Sequence, residues 1–112
     1  MRVLIIDDNA DSTLALRMLL ELEGHEVEVA HDGRSGLEAC ARSLPEVVLC
    51  DLVLPDMHGT DVGRALPSGA RKIAVTGHDP ADVRAACESA GFALVMQKPL
   101  DLDALLQGMS PA

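Results

Sequence analysis

The sequence predicts an α/β fold, a single (βα)5 unit in which a doubly wound, five-stranded parallel sheet carries helices on both faces. Three observations predict it. Short apolar runs alternate with segments of helical periodicity five times along the 112 residues. The clearest runs are continuously apolar, as in strands covered on both faces. Helical crossovers between short buried strands require parallel pairing.

The elements follow in order. Val3 to Ile6 is a β-branched-rich first strand. Asp11 is a capping residue for a first helix whose apolar positions Leu14, Met18, Leu19 and Leu22 keep helical spacing, and Gly24 ends it. Val27 to Ala30 is a weaker second strand. A helix from about Arg34 to Ser43 puts Leu37, Cys40, Ala41 and Leu44 on one side, and Pro45 stops it. Val47 to Cys50 is the third strand. Thr60 to Leu66 has room for about two turns before Pro67, Ser68 and Gly69, so the third helix is short. Lys72 to Thr76 is the fourth strand. Asp79-Pro80-Ala81-Asp82 supplies a cap, a first-position proline and an acid in the first turn of a helix that ends at Gly91. Ala93 to Gln97 is the fifth strand and Leu100 to Gln107 the last helix.

Composition narrows the function. One domain over residues 1–112 is large enough for a real core, and with Phe92 the only aromatic residue that core is aliphatic. A net charge of −9 argues against nucleic-acid or anionic-membrane binding and is compatible with holding a cation. Cys40, Cys50 and Cys87 are scattered and odd in number, which reads as core residues in a reducing compartment rather than disulfides or a zinc site. No signal-peptide pattern opens the chain and no run is long enough to span a membrane, so a cytoplasmic location is expected.

In doubly wound sheets ligands bind at the carboxyl ends of the strands. Those ends carry Asp7 and Asp8, then Asp51, Thr76, and Lys98-Pro99. Each alone has a bland explanation: a turn, a strand or capping hydroxyl, a solvated ammonium. Together they are three acids, a hydroxyl and an ammonium on one edge. Two carboxylates about 4 Å apart repel by on the order of 4 kcal/mol at an effective dielectric near 20. A hard divalent cation removes that conflict; Mg²⁺ suits a site that accepts a phosphoryl oxygen, with Mn²⁺ a possible substitute. Cation, ammonium and hydroxyl around a free carboxylate stabilise charge on a transferring phosphoryl group, and Asp51 then acts as the nucleophile. Asp56 belongs to the following turn, Asn9 to a cap, Asp101 and Asp103 to the last helix's first turn, and His25, His31 and His58 are scattered.

The stretches LIIDDN (4–9), VVLCDLVLPDMHG (47–59), IAVTG (73–77) and QKP (97–99) resemble the response-regulator receiver domain of two-component signalling, and GHEVEVAHDGRSGLEA (24–39) matches its second strand and helix. The resemblance covers essentially the whole chain and implies the flavodoxin-like strand order 2-1-3-4-5. It implies that Asp51 is the phospho-acceptor and that Asp8, Asp7 through water, Asp51 and the Val53 backbone carbonyl hold Mg²⁺. It implies that Thr76 and Lys98 contact the phosphoryl group, that the bond to Pro99 is cis, and that the donor is a phosphohistidine. That donor would be a sensor histidine kinase or a histidine phosphotransfer protein.

Three departures stand out. Val95 replaces the aromatic residue that the family usually carries three places before the lysine, which weakens output through that face. Val53 and His78, each two residues after a site residue, occupy positions that in the family influence attack of water on the phosphoryl group; valine cannot orient water, so self-dephosphorylation is expected to be slow unless His78 compensates. The segment from Asp51 to Thr76 is short, which removes the basis for inferring a dimer mode by analogy. The module is expected to phosphorylate itself rather than turn over a metabolite. The alternatives are a receiver-like protein-binding domain that is never phosphorylated, or an aspartyl phosphohydrolase. The latter usually has a second acid where Val53 stands, and no glycine-rich loop supports nucleotide binding. The chain reads equally as a stand-alone regulator or as one domain of a longer protein.

Overall fold

Five strands and five helices alternate through the computed structural model, which describes residues 1–67 and 69–110. They are β1 (Arg2–Ile6), α1 (Ala10–Leu22), β2 (Glu26–Ala30), α2 (Gly33–Ser43) and β3 (Val47–Asp51). Then come α3 (Gly59–Ala65), β4 (Arg71–Thr76), α4 (Pro80–Ser89), β5 (Leu94–Gln97) and α5 (Leu102–Met109). The sheet is parallel with strand order β2-β1-β3-β4-β5, as predicted. Ser68, part of the predicted break after the third helix, and residues 111–112 lie outside the described residues.

Period-two alternation sorts the strand side chains onto two faces. Leu4, Ile6, Val48, Cys50 and Ala74 pack with Ala39 and Cys40 of α2, Val62 of α3 and Cys87 of α4. Val3, Ile5, Val47, Leu49 and Ile73 pack with Leu20 of α1 and with Leu105 and Met109 of α5. The central strands β1, β3 and β4 are therefore covered on both sides, which explains their unbroken apolar runs. Gly36 lets α2 approach the sheet closely, since a Cβ there would overlap Ile6. Among the described residues no helix is long and apolar enough to cross a membrane.

Two helix faces differ from the expectation. In α1 the core-facing residues are Thr13, Leu16 and Leu20, while Leu14 (57% exposed), Met18 (57%), Leu19 (43%) and Leu22 (84%) point outward. The helix carries two apolar stripes, and periodicity alone does not say which one meets the sheet. Its N-cap is Asn9, whose side chain accepts the Ser12 N–H at 3.0 Å; Asp11 sits in the first turn. In α2, Gly33, Gly36, Ala39 and Cys40 face inward and Ala41 is exposed. Leu44 is the left-handed C-cap (φ 49°) and is also exposed.

The last helix starts later than predicted because Asp101 is its N-cap, leaving Leu100 in the preceding turn. The short third helix ends on a partner that the sequence did not suggest. Lys72 is buried on β4, and its ammonium donates to the carbonyls of Gly63 (3.1 Å) and Leu66 (3.2 Å). A cation on the last carbonyls of a helix satisfies unpaired acceptors and complements the helix dipole.

Candidate functional site

The strand ends bring the chemistry together. Asp7 follows the end of β1 and is buried; its backbone N–H donates to Ala30 at the end of β2 (3.0 Å). Asp51 is the last residue of β3 and is also buried. Lys98 follows β5, and its backbone N–H donates to the Thr76 carbonyl at 2.8 Å, which fixes it beside the end of β4. The Lys98–Pro99 peptide bond is cis.

From that position the Lys98 ammonium donates to Asp7 Oδ2 and Asp51 Oδ2, both at 3.0 Å. One cation thus bridges two carboxylates that would otherwise repel each other. Burial pulls the Lys98 ammonium down, but its hydrogen bonds and ion pairs with Asp51 and Asp7 outweigh this and raise it above its usual 10.5. Each carboxylate's other oxygen is held by the backbone: Asp7 Oδ1 accepts the Asn9 N–H (3.0 Å) and Asp51 Oδ1 the Val53 N–H (3.1 Å).

Asp8 is exposed at the rim. A ligand oxygen from each of Asp7, Asp8 and Asp51 lies within 4.8 Å of the others, a set of hard oxygen donors that fits Mg²⁺. Thr76 is buried, and its Oγ1 accepts the His78 N–H at 3.0 Å. Because that oxygen accepts from the backbone, the hydroxyl proton remains available to donate elsewhere.

The loop after Asp51 is shaped by close approaches. Gly59 has no Cβ to collide with the Asp51 carbonyl, and its N–H donates to Leu52 at 2.9 Å. Val53 forms an isolated antiparallel bridge with His58 and leaves its side chain 63% exposed. His78 is exposed beyond β4. Val95 pairs with Ala74 in the sheet and packs, partly buried, against the α2–α4 core. Cys50 is enclosed beneath Asp51, and its thiol is pushed up to about 12 by burial and then by the charges of Asp51 and Asp7.

The histidines do not converge. His25 meets the Met1 amino group, His31 the Asp7 backbone carbonyl, and His58 caps α3 by accepting the Thr60 N–H. Sequence reasoning missed one residue near the site. Asp56 reaches α2, with Oδ1 accepting the Gly33 N–H (2.7 Å) and Oδ2 the Arg34 N–H (2.9 Å). Its partners lie more than twenty positions upstream, and no local pattern announces them. A groove of about 470 Å³ opens beside the site between α1 and the segment after Lys98, lined by Asp51, Lys98, Leu100, Leu16 and Leu19.

Comparison with known proteins agrees with this architecture. The response regulator receiver domain family matches residues 3–110. Response regulator MprA of Mycobacterium avium is 33% identical over 112 residues, spanning 97% of this chain but 49% of that protein. The chain thus spans about half the length of the MprA proteins it matches. An uncharacterized 14.6 kDa protein of Leptolyngbya boryana is 35% identical over 90% of this chain and 81% of its own. Among solved structures, a CheY-like receiver domain protein of Methanospirillum hungatei superposes with a TM-score of 0.88 at 34% identity, covering 95% of this chain and 87% of that one. Fold, strand-end chemistry and sequence similarity over nearly the whole chain agree: it belongs to the response regulator receiver domain family of two-component signalling.

Proposed function

We propose that Asp51 accepts a phosphoryl group from a phosphohistidine on a sensor histidine kinase or a histidine phosphotransfer protein. The observation that carries this reading is the single ammonium of Lys98, held at 3.0 Å from both Asp7 and Asp51 on the sheet edge where Asp8 completes an acidic cluster. A carboxylate oxygen of Asp51 attacks phosphorus, the bond from phosphorus to the histidine nitrogen breaks, and its electron pair returns to the imidazole. Lys98 neutralises a phosphoryl oxygen and the free Thr76 proton donates to another. Asp8, Asp51 and the Val53 carbonyl, with Asp7 acting through water, would hold Mg²⁺, which would supply further neutralisation of phosphoryl charge. Mn²⁺ suits the same donors.

The outward α1 stripe supports the partner assignment. Leu14, Met18 and Leu22 recur every four residues on the outer face of α1, a different side from Leu16 and Leu19, which wall the groove beside Asp51; an apolar helix of a phosphohistidine-bearing partner can pack on that outer face. The net charge of −9 supports a protein partner rather than nucleic acid. Three buried free thiols support action in the reducing cytoplasm. Val53 offers no polar side-chain atom beside Asp51, so the acyl phosphate persists and the domain acts as a signalling module rather than a turnover enzyme.

The test is incubation of the protein with Mg²⁺ and a small phosphodonor, read by intact mass. One phosphoryl addition is expected, and none in Asp51→Asn. Absence of the addition with every donor would favour a binding domain that is never phosphorylated.

A further inference from the structure

The N-terminus of α2 is capped twice. Its own N-cap, Asp32, accepts the Ser35 N–H (2.7 Å) and the Ser35 hydroxyl (2.6 Å) through Oδ1. The two N–H groups that Asp32 does not reach, those of Gly33 and Arg34, are taken by the two oxygens of Asp56. Asp56 belongs to a different element, the loop that leaves the phosphoryl-acceptor strand. Beside it, Met57 fills the space that a Cβ on Gly33 would occupy. A carboxylate at a helix N-terminus also gains from the helix dipole.

At its base this loop is held by the Val53–His58 bridge and the Gly59-to-Leu52 hydrogen bond. At its tip the polar anchor is Asp56, three residues after Val53. Val53 in turn donates its N–H to the acceptor carboxylate of Asp51. The path from the α2 N-terminus to Asp51 is therefore short: two backbone hydrogen bonds, one carboxylate, three residues of chain and one more hydrogen bond.

We propose that Asp56 is a positioning residue for the acceptor site, fixing Val53 against Asp51 by anchoring the loop tip to the N-terminus of α2. This rests on the phosphoryl-acceptor reading above. Asp56 touches neither the cation donors nor the phosphoryl group; it acts on where Val53 presents its N–H and carbonyl. The Gly33 and Arg34 N–H groups hold the Asp56 carboxyl below its usual range, so the anchor is ionised at neutral pH.

The two caps of α2 make the experiment. Asp32→Ala weakens the start of α2 from outside the loop; Asp56→Ala weakens it and frees the loop tip. Mg²⁺ affinity is measured by calorimetry on the full chain, which has no Trp or Tyr to report binding by fluorescence. Loss of a residue that orients a metal site through another group lowers affinity by roughly tenfold at the weaker end of the range. Asp56→Ala is expected to lose affinity by about that factor, Asp56→Asn to recover part through its remaining acceptor oxygen, and Asp32→Ala to bind like wild type. Thermal unfolding checks that both alanine variants fold. Wild-type affinity in Asp56→Ala, or equal losses in Asp32→Ala and Asp56→Ala, overturns the positioning role and leaves the phosphoryl-acceptor reading standing. Failure of the wild-type chain to bind Mg²⁺ overturns both.

Discussion

At the residue scale, Asp51 is a buried carboxylate made tolerable by one backbone N–H and one ammonium. The same contacts govern its chemistry. Val53 presents an exposed aliphatic side chain beside it, so water near an acyl phosphate formed on Asp51 would lack a side-chain partner there. Val53→Asn is expected to speed decay of phospho-Asp51 by up to about a hundredfold, the lower end of positioned acid–base effects. Time-resolved intact mass measures this, and an unchanged decay rate would overturn the role given to Val53. The raised Lys98 ammonium predicts a pH effect. Its ion pairs contribute fully below its ordinary value of 10.5 and are lost as pH rises through the higher folded value. Lys98→Met should lack that alkaline loss in pH-dependent denaturation. The strand-end residues were legible because charged groups interrupt apolar runs at positions that topology makes meaningful. Asp56 was not, because its role depends on two backbone N–H groups brought to it only by the fold.

At the element scale, α1 departs most from simple expectation, whereas α3 is as short as predicted but ends on a partner the sequence did not suggest. The periodicity of α1 was read correctly as helical, but the stripe of Leu14, Met18 and Leu22 faces outward while Leu16 and Leu20 meet the sheet. Helical spacing reveals a helix; it does not choose between two apolar sides. The exposed stripe gives a direct test. Met18→Glu should slow phosphotransfer from a protein phosphohistidine by tenfold or more, about the effect of losing one buried apolar contact. Phosphorylation by a small donor should be unchanged. Equal slowing with both donors would remove α1 from the docking surface. Helix α3 stops before Pro67, which cannot continue the ladder, and its last carbonyls are satisfied by the Lys72 ammonium. Lys72→Met should strand those acceptors and cost about 2 kcal/mol in urea denaturation. A lysine near the start of a strand gave no hint of this, since its partners come from the preceding helix.

At the scale of the whole molecule, the parallel order β2-β1-β3-β4-β5 gathers one edge from residues as distant as Asp7 and Lys98. Alternating strands and helices made the parallel sheet readable, because helical crossovers leave little choice of handedness or sheet type, while the strand order followed from the resemblance to receiver domains. What was unreadable was which side each helix presents, a property of packing rather than of pattern. Cation binding to the native edge alone should stabilise the whole fold. Mg²⁺ at about a hundred times its dissociation constant should add roughly 2.7 kcal/mol and raise the unfolding temperature by about 10 °C. Asp8→Ala should reduce that shift sharply. The three thiols add a consequence of another kind. Cys40, Cys50 and Cys87 sit in the same core cluster, each buried and unpaired. A thiol-labelling reagent can reach them only when the structure opens, so the chain carries its own breathing clock. Cys50 adjoins Asp51, and its labelling rate before and after phosphorylation would time how tightly the modified edge is shut, with no probe added to the surface.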